Sequence, residues 1–88
     1  LSDDEEPSGT DAIAALRQPR IEELAQRGSL TAREREILGY LSYGHGSAFI
    51  AKSLFITDNT ARTHIRNIYR KLGLSSREEL LALFNPNN

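Results

Sequence analysis

The sequence predicts an all-α fold: a compact set of four helices behind an N-terminal linker that is partly disordered and partly helical. Three observations predict it. Apolar residues recur at helical spacing, most clearly at Ala61, Ile65, Ile68 and Leu72. Helix-start signatures precede the periodic runs: Thr31-Ala32-Arg33-Glu34 and Ser76-Arg77-Glu78-Glu79 read as capping boxes, and Thr57 stands before Asp58 in the same way. A chain of 88 residues, 39% hydrophobic and 7% aromatic, has room for one small aliphatic core, which three or four packed helices fill.

Taken in order, Leu1–Thr10 is acidic, with Pro7 and Gly9 and almost nothing to bury, and is expected to be a disordered linker. Asp11 can cap a short helix over 12–18, which Pro19 should end or kink. A second short piece, 20–27, puts Ile21, Leu24 and Ala25 on one side, with Gly28 as its stop. Neither piece persists alone, so each must dock on the following domain or on a neighbour. Residues 1–28 are therefore set apart as an acidic linker with short helical pieces, and residues 29–88 as the domain.

The domain's first helix runs from the Thr31 box to about Ser42 and buries Ile37, Leu38 and Leu41, with Leu30 placed to pack as a staple. Gly39 inside it costs about 1 kcal/mol relative to alanine, which suggests close packing or a tolerated flaw. Tyr43-Gly44-His45-Gly46 is the break. Ser47 can cap the second helix, 48–54, with Phe49, Ile50, Leu54 and Ala51 facing inward and Phe55-Ile56 as an apolar connection. The third helix spans about 57–72, from the Thr57 cap to Gly73, which can take the left-handed conformation that ends a helix. Helix, short turn and capped basic helix, with small Ala51 at a close crossing, form a helix-turn-helix signature. The fourth helix runs from Ser76 to about Phe84. Leu80, Leu81, Leu83 and Phe84 are more than one face of it can hide, so part of that surface is expected to meet another molecule. Residues 85–88 read as a frayed end.

The polar side of the third helix carries Asn59, Arg62, Thr63, Arg66, Asn67 and Arg70 opposite the apolar stripe. Beyond Asp58 in its first turn, every charge on this helix is positive: Arg62, Arg66, Arg70 and Lys71. Arginines four residues apart repel mildly unless a polyanion supplies the missing charge. Arginine and asparagine are also the side chains that match base edges in a major groove. The net charge of −1 conceals this, because residues 1–28 hold three basic against seven acidic residues and residues 29–88 eight against five. The domain proper is thus mildly basic, which permits nucleic-acid binding.

Other chemistries find no support. There is no cysteine, hence no disulfide scaffold or thiolate metal site. His45 and His64 lie nineteen residues apart with no ligand set around them, so neither metal nor cofactor is expected. Thr31, Thr57 and Ser76 read as helix caps, and Glu34, Glu36, Glu78 and Glu79 as surface carboxylates without paired geometry. No enzyme is expected. No apolar run approaches the ~20 residues that span a bilayer. The chain begins at Leu1 rather than Met and reads as a piece of a longer protein.

Leu30-Thr31, Arg33-Glu34, Glu36-Ile37-Leu38, Gly44, Ile50-Ala51, Leu54, Thr60, Thr63-His64, Ile68, Lys71-Leu72 and Ser76-Arg77 together resemble the LuxR-type (FixJ-, NarL- and GerE-like) helix-turn-helix domain, over about residues 29–84 without gaps. The resemblance implies the C-terminal output domain of a bacterial transcriptional regulator. It implies sequence-specific binding of double-stranded DNA, with the third helix in the major groove. By position it implies base reading by Arg62, Thr63 and Arg66. Thr60, His64, Asn67 and Lys71 would grip the sugar-phosphate backbone, with Ser47 and Thr57 as weaker candidates, and the helical wheel adds Arg70. It implies a homodimer paired through the fourth helix at Leu80, Leu81, Leu83 and Phe84. A sensor, receiver or membrane region would lie upstream, and the site of action would be cytoplasmic, with or without a membrane tether. The sequence departs from the family at Ala61, where a branched residue is frequent, and at Gly46-Ser47-Ala48-Phe49, which replaces a polar, charged run. The alternative is a helical interaction module that docks a partner regulator or RNA polymerase. The DNA-binding reading requires Arg62 and Arg66 to point outward, free of acidic partners from the same molecule.

Overall fold

The computed structural model describes the backbone of residues 9–84 and the side chains of residues 17–84. Five helices follow one another: α1 (Gly9–Gly28), α2 (Ala32–Ser42), α3 (Ser47–Leu54), α4 (Asp58–Leu72) and α5 (Arg77–Ala82). Among the described residues there is no strand. Helices α2 to α5 are the four expected of the domain. The expected linker up to Ser8 and the expected frayed end at 85–88 lie outside the described residues.

The N-terminal region differs from expectation. One helix runs through Pro19, where two short pieces were predicted, and it already includes Gly9 and Thr10. An interior proline removes a hydrogen bond and costs about 3 kcal/mol. Tertiary burial offsets that penalty here: Ile21, Leu24 and Ala25 are in the hydrophobic core, with Leu24 only 1% exposed. Arg35 of α2 reaches Glu22 at 3.0 Å, and the Arg17 guanidinium lies 4.5 Å from the centre of the Tyr43 ring. The helix also ends one residue later than expected. Gly28 is its last helical residue, and Ser29 takes the left-handed conformation (φ 54°). A Cβ at Gly28 would lie 2.8 Å from Leu72 Cδ2 and 3.5 Å from the Lys71 carbonyl oxygen, so a larger residue would have to move the tip of the Leu72 side chain. The ends of α1 and α4 approach closely at this point.

Helix α2 starts as the sequence predicts. Thr31 Oγ1 accepts from the Glu34 amide at 3.1 Å, and Glu34 Oε1 accepts from the Thr31 amide at 2.9 Å. Ile37 and Leu38 are wholly buried and Leu41 nearly so. Close packing does not explain Gly39, since a Cβ there would meet only Ile21 Cδ1 at 3.8 Å, an ordinary contact. Helix α3 is capped by extended Gly46 without any side-chain bond, and Ser47 is its first helical residue rather than its cap. Phe49, expected inside, is 47% exposed: it stacks on His45 at 3.9 Å and meets Tyr40 edge-on. Phe55 also points out, 94% exposed and left-handed (φ 58°). The connection to α4 is therefore apolar in composition but buries only part of Ile56.

Helix α4 packs against α3, α2 and α1, so three helices cradle it from behind. Ala61 and Ile68 are fully buried, while Ile65 and Leu72 are partly buried against the same core. Ala51 and Ala61 are the small residues that let α3 and α4 share this core. Gly73 ends α4 at φ 69°, the left-handed cap predicted for it. Helix α5 is shorter than expected, stopping at Ala82. Ser76 Oγ accepts from the Glu79 amide at 3.2 Å, but the Glu79 carboxylate takes the amide of Ser75, not Ser76, at 2.7 Å. Arg77 donates to the carbonyl of Gly44 and ties α5 to the α2–α3 turn.

Candidate nucleic-acid interface

The candidate surface is the side of α4 that faces away from α1, α2 and α3. Its start is fixed locally. Thr57 Oγ1 accepts from the Thr60 amide at 3.0 Å and donates to Thr60 Oγ1 at 2.8 Å. The Thr57 hydroxyl is thereby committed to the cap, whereas the Thr60 hydroxyl still has its own proton to donate outward. Thr63 Oγ1 donates to the carbonyl of Asn59 at 3.1 Å, which leaves it an acceptor and a methyl group for any ligand. Asn59, Thr60, Arg62, Thr63, Arg66 and Arg70 are all exposed. Their helical spacing places Arg62, Arg66 and Arg70 in one row along about two turns.

The cationic side chains are not equivalent. Arg62 is 62% exposed and pairs through Nη2 with Asp58 Oδ2, one turn earlier. Among the described residues, Arg66 and Arg70 form no ion pair. The requirement that the arginines point outward is met. The requirement that they be unpartnered is met by Arg66 and not by Arg62. The pair at Arg62 is an exposed one across a helical turn, worth about 0.3–0.5 kcal/mol, so a stronger anionic or guanine partner can displace it.

Lys71 is placed differently. Its ammonium lies 2.8 Å from Glu34 Oε1, with the glutamate side chain 4% exposed. Burial pushes the Glu34 carboxyl up, but the hydrogen bonds from Lys71 and Thr31 and the charge of Lys71 outweigh it, so Glu34 is held below its ordinary value of 4.5. Lys71 thus joins the end of α4 to the start of α2, and one ammonium serves fold before ligand. Glu34, taken from the sequence as a surface carboxylate, is its buried counter-charge. The partner lies 37 residues away, and no local signal marks it.

The remaining candidates are distributed as follows. Asn67 and His64 are half-buried beside the exposed row, and His64 Nδ1 is buried without a partner, so an outward contact falls to Nε2. Ser47 is half-buried at the first turn of α3. Of the predicted pairing residues on α5 and in the turn after it, Leu80 is core at 1% exposure and cannot meet a second molecule without unfolding. Leu81, Leu83 and Phe84 are only partly buried. Among the described residues no helix is long and apolar enough to cross a membrane, and no three histidine, cysteine or acidic side chains converge.

A family model described as bacterial regulatory proteins, luxR family, matches residues 28–84. Over 64 residues the chain is 41% identical to the HTH-type transcriptional regulator MalT of Yersinia pestis (strain Pestoides F) and of Yersinia pseudotuberculosis serotype O:1b (strain IP 31758). It is equally similar to the protein of that name from Serratia proteamaculans (strain 568). The aligned segment is 73% of this chain but 7% of each relative. No solved structure gives a significant match.

Proposed function

Because this chain belongs to the luxR family of bacterial regulatory proteins, we propose that it is a sequence-specific DNA-binding output domain that inserts α4 into the major groove. The observation that carries this reading is the row of exposed arginines on a helix whose other side is locked into the core. Arg62 and Arg66 each offer a planar fork that fits guanine O6 and N7, and Thr63 lies between them as an acceptor. Arg70, the free proton of Thr60, Asn67 and His64 Nε2 hold the sugar-phosphate backbone and set the register. Thr57 and Ser47 act nearby, Thr57 mainly by fixing the helix start. Lys71 contributes chiefly by anchoring α4. Residues 29–88 are the DNA-binding unit, and 1–28 link it to whatever sensor, receiver or membrane region precedes it, although the last turns of α1 complete the core.

One module of this size buries about 600–1,000 Å² on DNA, so single-copy binding is weak and a homodimer on two half-sites is the working state. The pairing surface is the partly exposed side of α5 and the turn after it, at Leu81, Leu83 and Phe84. The protein acts in the cytoplasm, where the DNA is. The alternative, a module that docks RNA polymerase or another regulator, is favoured by the exposed rings of Tyr43, Phe49 and Phe55. Charge reversal separates the two. The variant Arg62→Glu with Arg66→Glu should abolish retention of a duplex selected from a randomised library in a gel shift while leaving the thermal melt in place. Undiminished retention would refute the DNA-binding reading.

A further inference from the structure

The Asp58–Arg62 pair is at odds with simple polyanion binding. An acid at the leading end of a groove-binding helix repels the phosphates on both sides of it, and an arginine row would hold DNA more tightly without it. Yet this carboxylate is well fixed. It sits in the first turn of α4, where the helix dipole favours negative charge. Its Oδ1 is buried with no hydrogen-bond donor in reach, so its charge is compensated through Oδ2, the atom that meets Arg62. Arg62 in turn uses only Nη2 for this contact, leaving the Nη1 and Nε donors unengaged, and the side chain remains 62% exposed.

We propose that Asp58 is a positioning residue that aims Arg62 at guanine and so sets the base selectivity of one position in the half-site. The inference rests on the DNA-binding reading above. The physical argument is a competition. A free arginine beside a duplex is drawn to phosphate oxygens at any sequence and to guanine at only some. Phosphate contact supplies affinity without information. Asp58 changes that balance in two ways. It biases the guanidinium toward one placement before binding, which lowers the entropic penalty of the two-bond guanine contact. It also makes departure toward a phosphate less favourable, because Arg62 would leave a half-buried carboxylate uncompensated close to the DNA. Selectivity at that position rises while total affinity falls.

The test uses the 88-residue chain and a duplex library with a randomised central segment. Wild type, Arg62→Ala, Asp58→Ala and Asp58→Asn are each taken through selection, and each is then titrated against the selected duplex and a scrambled one. The column flattened by Arg62→Ala identifies the base that Arg62 reads. Both Asp58 variants should flatten that same column and lower the ratio of selected to scrambled affinity by about twofold, in keeping with the modest strength of an exposed pair across one helical turn. They should bind the scrambled duplex more tightly and steepen its log–log salt slope by about 0.9, one more phosphate contact. Combining Asp58→Ala with Arg62→Ala should cost no further selectivity. A purely structural carboxylate would weaken both duplexes together and leave the column sharp, and that result would overturn the proposal. An equal gain on both duplexes with a sharp column, marking Asp58 as a mere brake, would overturn it too. If folded wild type retains no duplex, the DNA-binding reading itself has failed and this inference falls with it.

Discussion

The two ends of α4 handle the same kind of charge pair in opposite ways. At the C-terminal end Lys71 meets a glutamate that is almost wholly buried and belongs to another helix. At the N-terminal end Arg62 meets an aspartate of its own helix, and the arginine is well exposed while the aspartate is half-buried. Burial decides what each pair can do. A shielded pair linking distant segments strengthens the fold and is not free to exchange partners. An exposed local pair adds little stability and can exchange, which is what a ligand-reading group needs. One helix thus carries a fixed pair at one end and an exchangeable pair at the other.

The largest test of that contrast is Lys71→Ala. It leaves Glu34 charged and shielded, and should destabilise the domain by about 2–3 kcal/mol, somewhat less than a fully buried pair because Lys71 is itself 27% exposed. Chemical denaturation would measure it. A melt unchanged from wild type would erase the distinction between the two ends.

The same pair makes a pH prediction. Glu34 is held below its ordinary value of 4.5 in the folded chain. The unfolded chain therefore takes up its proton first as acid is added. The stabilisation is fully present above about pH 4.5 and is lost as pH falls through the lower folded value. In Lys71→Ala the principal cause of the depression is gone, so this part of the acid loss should flatten. Denaturant midpoints followed through the acid range would show it, and parallel acid limbs in the two proteins would contradict it.

These two pairs also show what was legible in the sequence. The helix starts at Thr31 and Thr57, the stripe from Ala61 to Leu72 and the Gly73 stop were all legible because each depends on neighbours within about one turn. The exposed arginine row followed from the same local arithmetic. The sequence does not show that the helix continues past Pro19, because the proline's penalty is local while the burial of Ile21 and Leu24 that offsets it is tertiary. Lys71 reads from the sequence as a phosphate contact alone, because Glu34, the partner it meets in the fold, is 37 residues away in the chain. Asp58 is a different case. Its spacing from Arg62 was visible, but a first-turn acid already had a sufficient explanation in the helix dipole.

In the middle of α4, on its exposed side, the expected balance reverses. Arg66→Ala should leave the thermal melt within about 0.5 kcal/mol of wild type, as for most exposed substitutions. It should still cost about 1–3 kcal/mol of binding to a selected duplex, concentrated at one base position. Competition titrations with single-base variants of that duplex would resolve it. Loss spread evenly over all sequences would make Arg66 a phosphate contact and shift recognition elsewhere on the helix.

The smallest effect is expected just ahead of α4, at Phe55. Its left-handed backbone (φ 58°) disfavours any residue with a Cβ, by roughly 1–2 kcal/mol. The ring is 94% exposed and offers no packing in return. Glycine would relieve the strain, offset by about 0.5–1 kcal/mol of extra unfolded-state entropy. Phe55→Gly should therefore raise stability slightly, by up to about 1 kcal/mol. Gly73, at the other end of the same helix, already has glycine in the left-handed position. If stability rises and duplex retention falls, the strained ring serves the ligand-facing end, and the contrast between the two ends extends to the backbone. If stability rises and retention holds, the contrast is confined to the charges. A loss of stability would mean that Phe55 packs against the domain in solution, and that the turn before α4 belongs with attachment rather than recognition.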